Sequence, residues 1–185
     1  MQARGKRVDG DDSDLVRDDT SLLQRMIERL VTQRACLDRA VHLVARLTGP
    51  VVELGLGKAR TYDHLRRLLP HRQILVFDRE IHAPQAYVPD RADLYLGDFR
   101  DTLREAIQRL HGKVVLLHAD IGSTNRERDR QLVDELTPLI DELMCDHGVV
   151  VTDREMRRPH WESLALPPAA GNWTYYMYQV KKRDD

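Results

Sequence analysis

The stretch Val51-Val52-Glu53-Leu54-Gly55-Leu56-Gly57-Lys58-Ala59-Arg60 carries the clearest chemical pattern in the chain. A short apolar run ends at an acid, and a turn with two glycines leads into a helix-forming segment. Glycines at such a turn let the backbone approach a ligand, and the helix that follows offers free amides. A dinucleotide fingerprint needs Gly or Ala three residues after Gly57, where Arg60 stands instead. A phosphate loop needs Gly-Lys-Ser/Thr at its end, which is absent. Glu53 is poor company for a pyrophosphate and suits a ligand bearing an ammonium group.

Further acids close the next apolar runs. Ile74–Phe77 is followed by Asp78 and Arg79, and Leu94–Leu96 by Gly97, Asp98 and Phe99. With Glu53, Gly55 and Gly57 in the first position, this order resembles the class I S-adenosylmethionine-dependent methyltransferases, whose first motif is acidic-x-Gly-x-Gly-x-Gly. Ala59 replaces the last glycine, and the resemblance spans roughly residues 50–153 in four registered positions. The stretch Gly-Leu-Gly-x-x-Arg-Thr-Tyr is also similar to that of a group of very small bacterial methyltransferases. The resemblance implies S-adenosyl-L-methionine as cofactor and S-adenosyl-L-homocysteine as product. It implies that Asp78 accepts from both ribose hydroxyls, since a carboxylate is a good bidentate acceptor for a diol. It also implies Arg79 beside the adenine, Asp98 on the adenine amino group and Phe99 near the ring face. Arg60 or Thr61 would hold the methionine carboxylate at the positive helix end, or would serve as ordinary first-turn residues.

Two tails remain, Leu117-His118-Ala119-Asp120-Ile121-Gly122 and Val151-Thr152-Asp153-Arg154. In a parallel doubly wound sheet their carboxyl ends lie over the same crevice as the glycine turn. His118, Asp120, Asp153 and Arg154 are therefore expected near the transferring methyl, which puts His118 in the cofactor set as well. Methyl transfer from a sulfonium is an in-line displacement, governed by positioning and exclusion of water. A hydroxyl acceptor must also lose a proton; His118 has suitable basicity, and either Asp could orient it or act itself. These tails look like the metal-dependent O-methyltransferases of catechols, with Asp120 and Asp153 as the carboxylate pair. Arg154 occupies the place of the Asn ligand and brings positive charge, so no metal is expected. The alternative is an Arg154 pair with Asp153 or Asp120, either leaving the guanidinium to hold an acidic substrate or purely structural.

Nucleic acid is not the expected partner. The Asn/Asp-Pro-Pro-aromatic motif of DNA amino-methyltransferases is absent, and Lys181-Lys182-Arg183 is countered at once by Asp184 and Asp185. The sequence favours a methyltransferase acting at oxygen or nitrogen of a small molecule. A non-catalytic cofactor-binding or interaction protein, and a protein or RNA methyltransferase, stay open.

The elements that must position these residues follow from pattern. A chain of 185 residues, 42% hydrophobic, 32% charged and of formal charge -1, suits one ordinary globular domain. Cys36 and Cys145 have no ligand spacing and read as buried thiols. No apolar run is long enough to cross a membrane, and Met1–Thr20 is polar rather than signal-like, so the chain reads as cytoplasmic. Residues 1–17 read as a disordered tail and 18–49 as an N-terminal helical segment. That helix starts near Asp18–Ser21 and stops at Gly49-Pro50; a break around Thr32–Ala35 would make it two. Its amphipathic pattern is compatible with a homodimer or a higher homo-oligomer. Residues 50–185 read as a Rossmann-like α/β domain with a doubly wound, mostly parallel sheet. Strands are expected at Val51–Leu54, Ile74–Phe77, Leu94–Leu96, Val114–His118 and Val149–Thr152, with an antiparallel strand within Trp173–Val180. Helices are expected at 60–69, 101–111 and 124–145, the last two opened by capping boxes Thr102/Glu105 and Thr124/Glu127 and the third kinked or restarted at Pro138.

Overall fold

The computed structural model describes residues 20–123 and 125–182; the expected tail and Thr124 lie outside them. Helix α1 spans Leu22–Leu43 and is capped by Ser21, whose hydroxyl accepts the Gln24 amide at 3.1 Å. It runs unbroken through Thr32–Ala35, because Thr32, Gln33, Ala35, Cys36, Leu37 and Ala40 are buried there against the sheet. Its first turns are uncovered, with Leu22 83% and Leu23 71% exposed.

Strands β1 (Val51–Leu54), β2 (Ile74–Asp78), β3 (Leu94–Leu96), β4 (Val114–Ala119) and β5 (Met144–Thr152) pair in parallel. Helices α2 (Arg60–Leu68), α3 (Phe99–Leu110) and α4 (Arg126–Leu143) link them, while two short 3₁₀ turns fill the stretch between β2 and β3. Strands β6 (Trp161–Leu164) and β7 (Tyr176–Val180) complete a seven-stranded sheet in the order β3-β2-β1-β4-β5-β7-β6, with β7 antiparallel to β5 and β6 antiparallel to β7. The fold is thus the expected Rossmann-like one, with one edge strand more.

The chain leaves β1 toward β3 and returns to β4 on the other side of β1, so the crevice opens where β1 and β4 diverge. Strand alternation divides the core into two layers. Val52, Leu54 and Phe77 face α3 and α4, whereas Val51, Val76 and Leu116 face α1 and α2. Glu53 and His118 share the parity of Val51 and Leu116 and point into the α1 side, in direct register with each other.

Several boundaries differ from the sequence expectation. Asp98 caps α3, accepting the Arg100 amide at 3.0 Å, so Thr102 lies one turn inside and donates its hydroxyl to the Asp98 carbonyl. Asn125 caps α4 by accepting the Arg128 amide at 3.0 Å. Pro138 neither stops nor restarts α4: Leu136, Thr137, Ile140 and Leu143 are buried around it, and packing outweighs the lost amide bond. Strand β6 escapes the pattern because it is a short edge strand with Glu162 and Ser163 exposed.

What fixes β6 is Asp141 on α4. Its carboxylate accepts Trp161 Nε1 at 2.8 Å, His160 Nε2 at 2.8 Å, and both Nε and Nη2 of Arg158 at 3.1 and 3.0 Å. Burial pushes the carboxyl up, but the Trp161, His160 and Arg158 bonds outweigh it and hold the group below the usual carboxylate range. The resulting stability is present above about pH 4 and is lost as pH falls through the lowered folded-state value. Asp141→Ala should lower unfolding free energy by about 3 kcal/mol near neutrality, since it strands a half-buried guanidinium. Urea titrations of both proteins from neutral to about pH 3 check this; a gap that fails to shrink in acid would contradict it.

Candidate functional site

The turn after β1 is held open by backbone that L side chains rarely adopt. Gly55 has φ 90° and Gly57 φ 50°, and a Cβ on Gly57 would meet nothing within 4 Å, so the turn leaves clear space above it. Ala59, standing where the resembling motif has its third glycine, is also left-handed at φ 61° and caps α2. Its methyl is buried, which offsets the strain of that conformation.

Asp78, at the end of β2, closes this turn from the side. Its Oδ2 accepts the amides of Leu56 at 2.8 Å and Gly57 at 3.2 Å, and its Oδ1 that of Arg79 at 2.7 Å. The Glu80 amide lies 3.4 Å from Oδ1 as well, so a ligand hydroxyl has to share or replace one of these amide bonds. Gly55, Gly57, Arg60, Thr61, Asp78, Arg79 and Phe99 all line one cavity of about 570 Å³ beneath Met26, Arg29 and Gln33 of α1. That volume suits a cofactor-sized ligand. Asp98 is absent from the lining. Its carboxylate caps α3, bonds the Arg100 guanidinium and lies 3.7 Å from that of Arg79, which does line the cavity. These amide and guanidinium bonds, opposed by burial, keep its carboxyl below the usual range.

Glu53 and His118 require a larger correction. Both are wholly buried and line neither cavity described here. Glu53 Oε1 accepts the Thr61 hydroxyl, and its Oε2 accepts His118 Nδ1 at 2.8 Å. His118 Nε2 lies 2.6 Å from the Tyr175 hydroxyl. Burial pushes the imidazole down, but the Glu53 charge and hydrogen bond outweigh it and hold the proton more tightly than in water. Both ring nitrogens of His118 and both carboxylate oxygens of Glu53 are thus engaged inside the protein rather than turned to the cavities. The cause is strand alternation, which sends both into the layer under α1.

Asp120 does reach the crevice. Its Oδ2 is held by Arg29 and, at 2.8 Å, by Gln33 Nε2, while its Oδ1 is buried without a hydrogen-bond partner. Asp153 and Arg154 are drawn elsewhere. Asp153 accepts the Ile121 and Gly122 amides at 3.1 and 3.0 Å, and Arg154 Nη1 at 3.0 Å. Burial, followed by the neighbouring Asp120 charge, raises the Asp153 carboxyl above its ordinary range. Arg154 also grips buried Asp129 through Nε at 3.1 Å and Nη2 at 2.7 Å, and donates to the Ser123 carbonyl at 3.2 Å. Its expected pairing with Asp153 is present and that with Asp120 is not, and the guanidinium is occupied rather than left for a substrate.

Arg154 and Asp153 instead line a second cavity of about 1290 Å³, which shares Ser123 and Asp129 with the first. Its walls come from α1, α4 and the segments flanking β6, so the chain builds this space without an inserted domain. Among the described residues no three His, Cys, Asp or Glu side chains are grouped to hold a metal ion, and no helix is long and apolar enough to cross a membrane.

Sequence reasoning missed Arg29, Gln33 and Asp129. Gln33 had a usable signal, a polar residue with Thr32 in the part of α1 whose neighbours turn inward. Asp129 had none, because one acid among many on a charged helix is not distinctive until Arg154 folds over it.

Comparison with known proteins agrees with this geometry. A family model described as S-adenosyl-L-methionine methyltransferase matches residues 20–180. Among solved structures, the chain is similar to an S-adenosyl-L-methionine methyl transferase from Silicibacter pomeroyi DSS-3, with 39% identity over 88% of this chain and 99% of that one, at a TM-score of 0.82. Human methyltransferase-like protein 13 in complex with SAH is 11% identical, over 85% of this chain and 82% of that one, at a TM-score of 0.56, and shares the fold. The fibrillarin/Nop5p complex, 12% identical over 83% of each chain at a TM-score of 0.50, shares it too. No match emerges among curated proteins. With the glycine turn, the Asp78 strand end and a relative of this identity in agreement, the chain belongs to the S-adenosyl-L-methionine methyltransferase family and is an enzyme that uses S-adenosyl-L-methionine as its cofactor.

Proposed function

We propose that the enzyme methylates an oxygen or nitrogen of a small molecule and that Asp120 receives the acceptor's proton. The observation that carries this reading is the buried Oδ1 of Asp120, a charged acceptor with no partner beside the cofactor cavity. A lone carboxylate oxygen shut away from water is costly unless a donor is delivered to it. Arg29 and Gln33 fix the opposite oxygen, so the free one is oriented before any ligand arrives. An entering hydroxyl or amine supplies the missing hydrogen bond and, on reacting, the proton.

When bound, the cofactor supplies an electrophilic methyl group on a sulfonium. Asp78 is assigned to the ribose hydroxyls, Phe99 and Arg79 to the adenine, and Arg60 with the backbone amide of Thr61, whose hydroxyl is given to Glu53, to the methionine carboxylate. Gly55 and Gly57 keep the floor free of side chains, so the backbone amides come close. His118 and Glu53 are assigned a positioning role, since Glu53 holds Thr61 and His118 holds Tyr175. Asp153 and Arg154 shape the partition between the cavities by fixing the amides of Ile121 and Gly122 and the carboxylate of Asp129.

Calorimetry with S-adenosyl-L-homocysteine should give micromolar binding to the wild type, weakened about 10- to 100-fold in Asp78→Ala, the range for hydrogen bonds to a charged group. Unweakened binding to the folded variant would remove Asp78 from the site.

Asp120→Asn keeps the shape but not the basicity. It should lower turnover about 10²- to 10⁴-fold while leaving homocysteine-product affinity within about twofold. Cell extract incubated with labelled cofactor serves as the source of acceptor. Label should enter the low-molecular-weight fraction; label confined to RNA or protein would sink the small-molecule reading.

A further inference from the structure

The second cavity has an electrostatic character that the methyl-transfer reading does not require. Six Arg side chains and five Asp or Glu side chains line it, and what sets it apart is how they are paired. The acids are largely engaged. Asp129 and Asp153 are held by Arg154, and Glu155 by Arg157. The bases are not matched in the same way. Arg126, Arg128 and Arg130 project from the first two turns of α4, all exposed, and none makes a side-chain hydrogen bond or ion pair among the described residues. Arg126 and Arg130 stand one helical turn apart on the lining of the larger cavity, and Arg128 lines the smaller.

This placement is unfavourable in the isolated chain. Cations one turn apart repel; of the two acids in the same first turn, Asp129 is committed to Arg154 and Glu127 makes no ion pair with either arginine. Asp134, one turn beyond Arg130, lines the same cavity without an ion pair to it. An anion seated between Arg126 and Arg130 reverses that repulsion, and a guanidinium pair matches carboxylate or phosphate in geometry. Half-buried Trp173 and Tyr176 line the same space and offer an apolar wall for the body of such a ligand. The cavity adjoins the cofactor pocket through Ser123 and Asp129, so a ligand anchored there reaches toward Asp120.

We infer that the methyl acceptor is an acidic small molecule whose carboxylate or phosphate is held by Arg126 and Arg130 while its nucleophile extends toward Asp120. This rests on the small-molecule reading above. Arg154 has no part in the recognition, since its donors are already taken.

The test uses the full chain saturated with S-adenosyl-L-homocysteine and ligand-observed NMR on matched fragments: benzoate with benzamide, indole-3-acetate with indole-3-acetamide, and phenyl phosphate with phenol. Acids should bind about tenfold more tightly than their neutral mates, with the phosphate and carboxylate arms telling which anion is preferred. The double variant Arg126→Gln/Arg130→Gln should lose that preference while keeping its melting temperature and cofactor-product affinity. Equal binding of acid and neutral mate, no acid bound at all, or a preference surviving in the double variant would overturn the inference. So would a single-stranded RNA oligomer that binds through these arginines when the acids do not. If S-adenosyl-L-homocysteine itself fails to bind, the cofactor-site assignment falls instead, which separates the two failures.

Discussion

Glu53 and His118 sit in register on neighbouring parallel strands, wholly shut from water, and much of the molecule is arranged to make that burial tolerable. An isolated buried carboxylate or imidazolium is strongly disfavoured, whereas a paired and fully hydrogen-bonded one is not. Thr61 from α2 satisfies one carboxylate oxygen, Tyr175 from the approach to β7 satisfies the far imidazole nitrogen, and Gln33 from α1 lies 3.5 Å from the Tyr175 hydroxyl. The pair therefore ties two strands, two helices and the C-terminal hairpin to one point. It also explains why α1 stays continuous where its sequence suggested a break: Thr32 and Gln33 are polar, but Gln33 has buried partners waiting for it.

That arrangement sets the chemistry of the crevice by subtraction. With Glu53 and His118 committed to the layer under α1, the acids left at the strand ends are Asp78, Asp120 and Asp153. Each is conditioned differently. Asp78 is wrapped in backbone amides and closes the glycine turn. Asp153 takes two amides and a guanidinium, and its burial beside another acid makes it a reluctant anion. Asp120 alone has a bare buried oxygen, because Arg29 and Gln33 approach it from one side only. One strand-end carboxylate thus differs from the others through its neighbours rather than its residue type.

Arg154 organises the far side in a comparable way. Its fork spans Asp129 on α4 and Asp153 on the end of β5, and it reaches the Ser123 carbonyl between them. The segment Ile121–Ser123 is thereby held between the two cavities, and α4 presents Arg126 and Arg130 toward the larger one. A 34% exposed guanidinium with this many partners is structural cement at the edge of a site.

The sequence by itself determined the strand–helix alternation, the glycine turn and the acids that close β2 and β4, because these depend on local pattern: branched residues for strands buried on both faces, glycine where φ is positive, an acid where a strand ends. It could not place β6, whose exposed polar residues carry no strand signal and whose position is set by Asp141 on a distant helix. Nor could it tell that Asp98 is first a helix cap, or that His118 is engaged at both ring nitrogens inside the protein, since a motif names positions without saying which face of a strand is covered. The pairing of Arg154 with Asp129, 25 residues away, and of Arg29 with Asp120, 91 residues away, came only with tertiary structure. Burial and partner geometry decide what an ionisable group can do, and both are properties of the assembled layers rather than of any segment.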